Sequence, residues 1–93
     1  MKFMSEKQQP EISTGHILIQ TYGKKVTANT INKLESMRDE NFMFEAIHEV
    51  HLGVYDIVTE VRTKEGVALS YVTQQIRNLP GVSSTLTLKH LKV

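Results

Sequence analysis

Residues 44–63 read FEAIHEVHLGVYDIVTEVRT. In the first half, Ala46, His48, Val50 and Leu52 alternate with Glu45, Ile47, Glu49 and His51, the two-residue period of a strand with unlike faces. Leu52-Gly53-Val54-Tyr55 then places glycine at the first of two loop positions, where a type II′ hairpin turn needs a positive φ. A second strand, YDIVTEVRT, follows at once from Tyr55. The segment therefore predicts a tight antiparallel hairpin at the centre of the chain. Asp56 is its odd member, because aspartate is a poor strand residue and this one stands between Tyr55 and the apolar pair Ile57-Val58.

Either side of the hairpin carries the same sequence of signals. Upstream, GHILIQTY (Gly15 to Tyr22) holds the consecutive apolar residues Ile17, Leu18 and Ile19, as expected of a central strand covered on both faces. The period then changes. Across TANTINKLESMRDE (Thr27 to Glu40), Ala28, Ile31, Leu34 and Met37 form the stripe of an amphipathic helix, with Thr27, Asn29 and Thr30 as candidate caps. Downstream, Leu69, Val72, Ile76 and Leu79 mark a second helix beginning near Val67. Pro80 stops it and Gly81 lets the chain turn. The last strand, VSSTLTLKHLKV from Val82, sets Leu86 and Leu88 on one face and Thr85 and Thr87 on the other.

The order strand, helix, strand, strand, helix, strand is that of an α+β ferredoxin-like βαββαβ plait. It folds as a four-stranded antiparallel sheet with two helices on one face. The apolar runs Ile17 to Ile19 and Ile57-Val58 leave the other face in need of cover, most simply a second subunit in a sheet-mediated dimer.

Composition limits what such a domain does. The chain has 93 residues, enough for one core and too few for two. A net charge of +1 sets up no strong field for nucleic acid. The absence of cysteine excludes disulfides and thiolate chemistry. Nothing approaches the roughly 18 apolar residues of a membrane span, and the start MKFMSEKQQPEIST lacks the apolar run of a secretory signal. The expected location is the cytoplasm. Residues 1–14 are polar, contain Pro10, and are expected to form a flexible arm before a folded domain over 15–93.

HLGVYDIVTEV, followed by IRNLPGVSSTLTLKHL, resembles the ligand-binding domain of the Lrp/AsnC regulators, also called the RAM domain (regulation of amino acid metabolism). These are the leucine-responsive and asparagine-responsive transcription factors. Their pattern is Gly-x-Tyr/Phe-Asp opening a strand, a helix ending in Leu-Pro-Gly-Val, and a Thr-x-Thr strand. Here the matching positions are Gly53, Tyr55, Asp56, Leu79, Pro80, Gly81, Val82, Thr85 and Thr87, and the likeness spans Gly15 to Val93. The resemblance implies a dimer formed through the sheets, rings of dimers such as an octamer, and a free amino acid bound between subunits. It further implies that Gly53, Tyr55, Asp56, Ser84, Thr85 and Thr87 surround that ligand. An amino acid calls for an acceptor for its ammonium and donors for its carboxylate. For Asp56 a second reading stands beside this one, that it hydrogen-bonds nearby backbone amides and fixes the turn. For Tyr55 packing at the subunit interface, and for the serines and threonines plain strand-surface roles, stand likewise.

The helix-turn-helix DNA-binding domain usual in such regulators has no counterpart in residues 1–14. A stand-alone effector domain is therefore expected, one that does not bind DNA directly and that acts on transcription through oligomers with full-length regulators. No enzymatic activity, cofactor, metal or membrane partner is expected. Two other readings remain at this stage, an oligomerisation scaffold that binds no ligand and a small dimeric plait-fold enzyme. The enzyme reading would draw on His16, His48, His51 and His90. His48 and His51 fall on opposite faces of one strand, and His16, His48 and His90 meet only if their strands are neighbours with matching faces.

Overall fold

The computed structural model describes residues 12–90. Its elements run β1 (Thr14–Thr21), α1 (Lys24–Ser36), β2 (Phe42–Leu52), β3 (Tyr55–Thr63), α2 (Leu69–Arg77) and β4 (Val82–Lys89). All strand pairs are antiparallel and the sheet order is β2-β3-β1-β4. This is the ferredoxin-like plait. The arm expected over residues 1–14 lies outside the described residues, apart from its last three.

The register sorts the strands into two faces. Behind the sheet, Ile47–Thr59–Ile17–Thr87 and Glu49–Ile57–Ile19–Thr85 form rows across all four strands. The core of Ile17, Ile19, Ile57, Val61, Leu34, Leu69, Val72 and Ile76 lies between these rows and the helices. On the opposite, open face the rows are His48–Val58–Leu18–Leu86 and Ala46–Glu60–His16–Leu88. A register shift between Phe44 and Ala46 explains why Phe42 and Phe44 join the helix side while Ala46 does not. Ile17, Leu18 and Ile19 are all buried, as expected of a central strand.

The hairpin follows the sequence reading. Leu52 pairs with Tyr55, Gly53 has a φ of 63°, and no described non-glycine residue has a positive φ, as a type II′ turn requires. The first helix departs from it. It starts at Lys24 rather than Thr27, none of Thr27, Asn29 and Thr30 caps it, and it ends at Ser36. The Gly23 carbonyl instead accepts the amides of Val26 and Thr27, at 3.0 and 3.1 Å. Thr27 and Thr30 are buried and Ala28 is exposed. Their hydroxyls turn back onto the carbonyls of Gly23 and Val26, at 3.1 and 2.8 Å, so the buried stripe is shifted by one position towards residues that look polar. The second helix is shorter than expected, ending two residues before Leu79. Gly81 also has a reason other than conformational freedom: a Cβ there would run into Thr30 and Val26 of α1.

Candidate functional site

Asp56 stands where β3 parts from β1. The last paired residues are Ile19 and Ile57. One step further, the Thr21 amide donates to Asp56 Oδ2 at 2.8 Å and the Thr21 hydroxyl donates to the same oxygen at 3.0 Å. The carboxylate thus replaces a missing ladder carbonyl. The chain of hydroxyls continues inward, because Thr27 Oγ1 lies 2.7 Å from Thr21 Oγ1. If Thr21 gives its one proton to Asp56, the single Thr27 proton is shared between Thr21 Oγ1 at 2.7 Å and the Gly23 carbonyl at 3.1 Å. Asp56 therefore ties the hairpin to the start of α1. It bonds to the neighbouring strand rather than to amides of its own turn. Among the described residues Oδ1 makes no hydrogen bond, which leaves one carboxylate oxygen free at the half-buried end of the sheet.

The other five residues carried by the resemblance are divided by β1. Gly53 at the hairpin tip and half-buried Tyr55 stand with Asp56 on the β2–β3 side. Ser84, Thr85 and Thr87 lie on β4. The Ser84 hydroxyl donates to Gln20 Oε1 at 2.9 Å on the open side, while Thr85 and Thr87 face the helices. Thr87 Oγ1 lies 2.7 Å from Thr73 Oγ1 of α2. Within one chain Gln20 and Thr21 connect Ser84 to Asp56, and the six residues do not converge on a common point.

Two arrangements were not foreseen from the sequence. A cleft of about 420 Å³ opens between the end of α1 and β2, lined by Leu34, Met37, Arg38, Asp39, Phe42 and Phe44 among others. Asp39 borders it with both oxygens occupied, one by the Asn41 amide at 2.8 Å and one by the Tyr71 hydroxyl at 2.8 Å. These bonds, the Asn41 amide foremost, hold its carboxyl below the usual carboxylate range. The second is a chain of ring nitrogens on the open face. His90 Nε2 lies 2.8 Å from His16 Nδ1, and His16 Nε2 lies 3.3 Å from Glu60 Oε2. His16 and His90 thus do meet, while His48 stands one row away. No group of three His, Cys, Asp or Glu residues among those described is arranged to hold a metal ion.

Around that chain the open face mixes apolar residues with His48, Glu60 and Arg62. Leu18 and Val58 occupy its centre, and Met43, Leu86 and Leu88 remain 55%, 43% and 48% exposed. Leu86 and Leu88 lie side by side on edge strand β4, and Met43 stands on the opposite edge strand beside Arg62.

AsnC of E. coli has the same fold, with a TM-score of 0.71 at 25% identity over 95% of this chain. The likeness supports a domain of Lrp/AsnC type. It spans 56% of the AsnC chain. FFRP-DM1 matches over 85% of this chain and 99% of its own, at 21% identity and a TM-score of 0.64. A hypothetical protein of Pyrococcus horikoshii matches over 89% of this chain and 93% of its own, at 20% identity and a TM-score of 0.62. No protein-family model matches the sequence, and no curated protein does. Among the described residues no helix is long and apolar enough to cross a membrane.

Proposed function

We propose that this Lrp/AsnC-type domain is a non-catalytic effector module that dimerises through the open face of its sheet and binds a free amino acid at the subunit boundary. Rings of dimers, and mixed oligomers with DNA-binding regulators, would carry the signal to transcription. The observation that carries the reading is the open face of the sheet, where Leu86, Leu88 and Met43 remain exposed in a single chain beside half-buried Val58 and buried Leu18. The division of the six candidate residues by β1 fits a pocket completed by another subunit, and the free Oδ1 of Asp56 suits an ammonium group.

Thermal unfolding against a panel of single amino acids tests it. A ligand at a hundred times its Kd stabilises the folded state by about 2.7 kcal/mol, a shift of several degrees in a domain of this size. One or two amino acids should raise the Tm, and Asp56→Asn should abolish that rise, since asparagine keeps an acceptor for Thr21 and loses the charge. A flat panel from a protein that is dimeric by sedimentation would establish the scaffold reading instead. A monomer would remove the interface itself.

A further inference from the structure

The His90–His16–Glu60 chain has no place in amino-acid binding, yet it lies on the face assigned to a second copy, running from the end of edge strand β4 across β1 to β3. His90 Nε2 and His16 Nδ1 are 2.8 Å apart, with ring centroids 4.7 Å apart and planes tilted by 54°. Two imidazole nitrogens make such a contact only when one carries a proton and the other a lone pair. With both rings neutral, the Thr14 hydroxyl, 3.3 Å away, donates to His90 Nδ1, His90 Nε2–H donates to His16 Nδ1, and His16 Nε2–H donates to Glu60. One added proton reverses part of the chain: His16 donates through both nitrogens, and His90 Nδ1–H turns to the Thr14 oxygen. In each state every ring nitrogen has a partner. A second proton leaves N–H facing N–H between two cationic rings, and the contact must open.

The surroundings do not absorb that second charge. From β3 the pair faces Glu60, which balances one imidazolium, and Arg62 in the next row, which is itself cationic and lies 3.6 Å from Glu45 of β2. His48 of β2 stands one row away on the other side. Among the described residues β4 brings Ser84, Leu86 and Leu88 to this face, none of them charged, and both helices are behind the sheet. Covering the site with another apolar face would desolvate the pair and make the doubly charged state costlier still.

We propose that the His16–His90 pair is a proton-operated release for the sheet-to-sheet dimer: the interface accepts the pair with no proton or one, and opens when both rings are charged. This rests on the dimer reading above. Dissociation then takes up protons, so acidification favours the monomer.

The test is sedimentation equilibrium at constant ionic strength at about pH 8 and about pH 5, the span over which imidazoles change charge. The wild-type dimer should associate at least about tenfold more weakly at the acid end. The limiting slope is about a hundredfold per pH unit, since two copies of the pair are freed. His90→Gln, at an exposed position, should associate with the same affinity at both pH values, whatever that affinity is; His90→Asn serves if that variant does not fold. Equal affinity at both pH values in the wild type would overturn the proposal and leave the dimer standing. An acid effect that persists in the His90 variants would overturn it too. Loss of the far-UV circular dichroism signal at the acid end in both proteins alike would assign the change to unfolding, against the proposal. A wild-type monomer throughout would overturn the dimer reading and this inference with it.

Discussion

The two faces of the sheet are built from the same four strands and are finished differently. On the helix side, apolar residues are sealed and the polar ones among them have internal partners: Thr59 donates to the Ile17 carbonyl at 3.1 Å, Thr30 to Val26, and Thr27 joins Thr21. No buried side-chain polar atom among the described residues lacks a hydrogen bond. On the open side, leucines and a methionine are left in water beside a histidine–glutamate chain that is satisfied only in certain charge states. One face holds the monomer together, and the other leaves large apolar side chains exposed.

Substitutions on each side can break that contrast. The largest loss of stability is expected from Ile57→Ala, about 2–5 kcal/mol by urea titration, because the side chain is wholly buried under the helices. Asp56→Ala should cost about 1.5–3 kcal/mol, since it strips the Thr21 amide and hydroxyl of a charged acceptor. Gly15→Ala comes next at about 1–3 kcal/mol, because its Cβ would sit 2.5 Å from the Leu88 carbonyl oxygen and 2.7 Å from Leu69 Cδ1. Tyr71→Phe should be milder, and its cost should itself depend on pH. The Asp39 carboxyl is held below its usual range in the fold, so its bond to Tyr71 contributes stability above that range and loses it as the pH falls through the lowered value. Melting curves of the two proteins should therefore differ at neutral pH and converge in strong acid. The smallest effect on folding, within about 0.5 kcal/mol for the monomer, belongs to Leu86→Ser, which should nevertheless weaken sedimentation as a dimer. If Leu86→Ser destabilised the monomer as much as Ile57→Ala, the open face would be core and the contrast would fall.

Much of this architecture was legible from periodicity. The central hairpin, the glycine at its turn, the buried triplet in β1 and the shared face of Leu86 and Leu88 all follow from spacing and from the φ that only glycine adopts easily. The frame of α1 was misplaced because Thr27 and Thr30 look polar, and only folded geometry shows their hydroxyls bonded to carbonyls one turn back. The packing of Gly81 against Thr30 and Val26 is hidden for a different reason: a close approach between distant segments has no local signal. The candidate site was legible only as motifs. That Asp56 grips Thr21, and that His16 meets His90, depends on which strands are neighbours. Alternation put Leu86 and Leu88 on one face of their strand, but neither which face is open nor which strands are neighbours could be read from it.

The strand order carries a consequence for how the chain folds. β1 lies inside the sheet, yet both of its partners, β3 and β4, come later in the chain. During synthesis the most apolar segment, Ile17 to Ile19, emerges before either of the strands that will flank it, while the β2–β3 hairpin closes on itself as soon as it is made. Productive folding must wait for a contact between distant residues such as Ile19 and Ile57, which slows it relative to a locally wired fold of equal size. The strand that ends up best protected is therefore the one longest exposed to aggregation and chaperone capture.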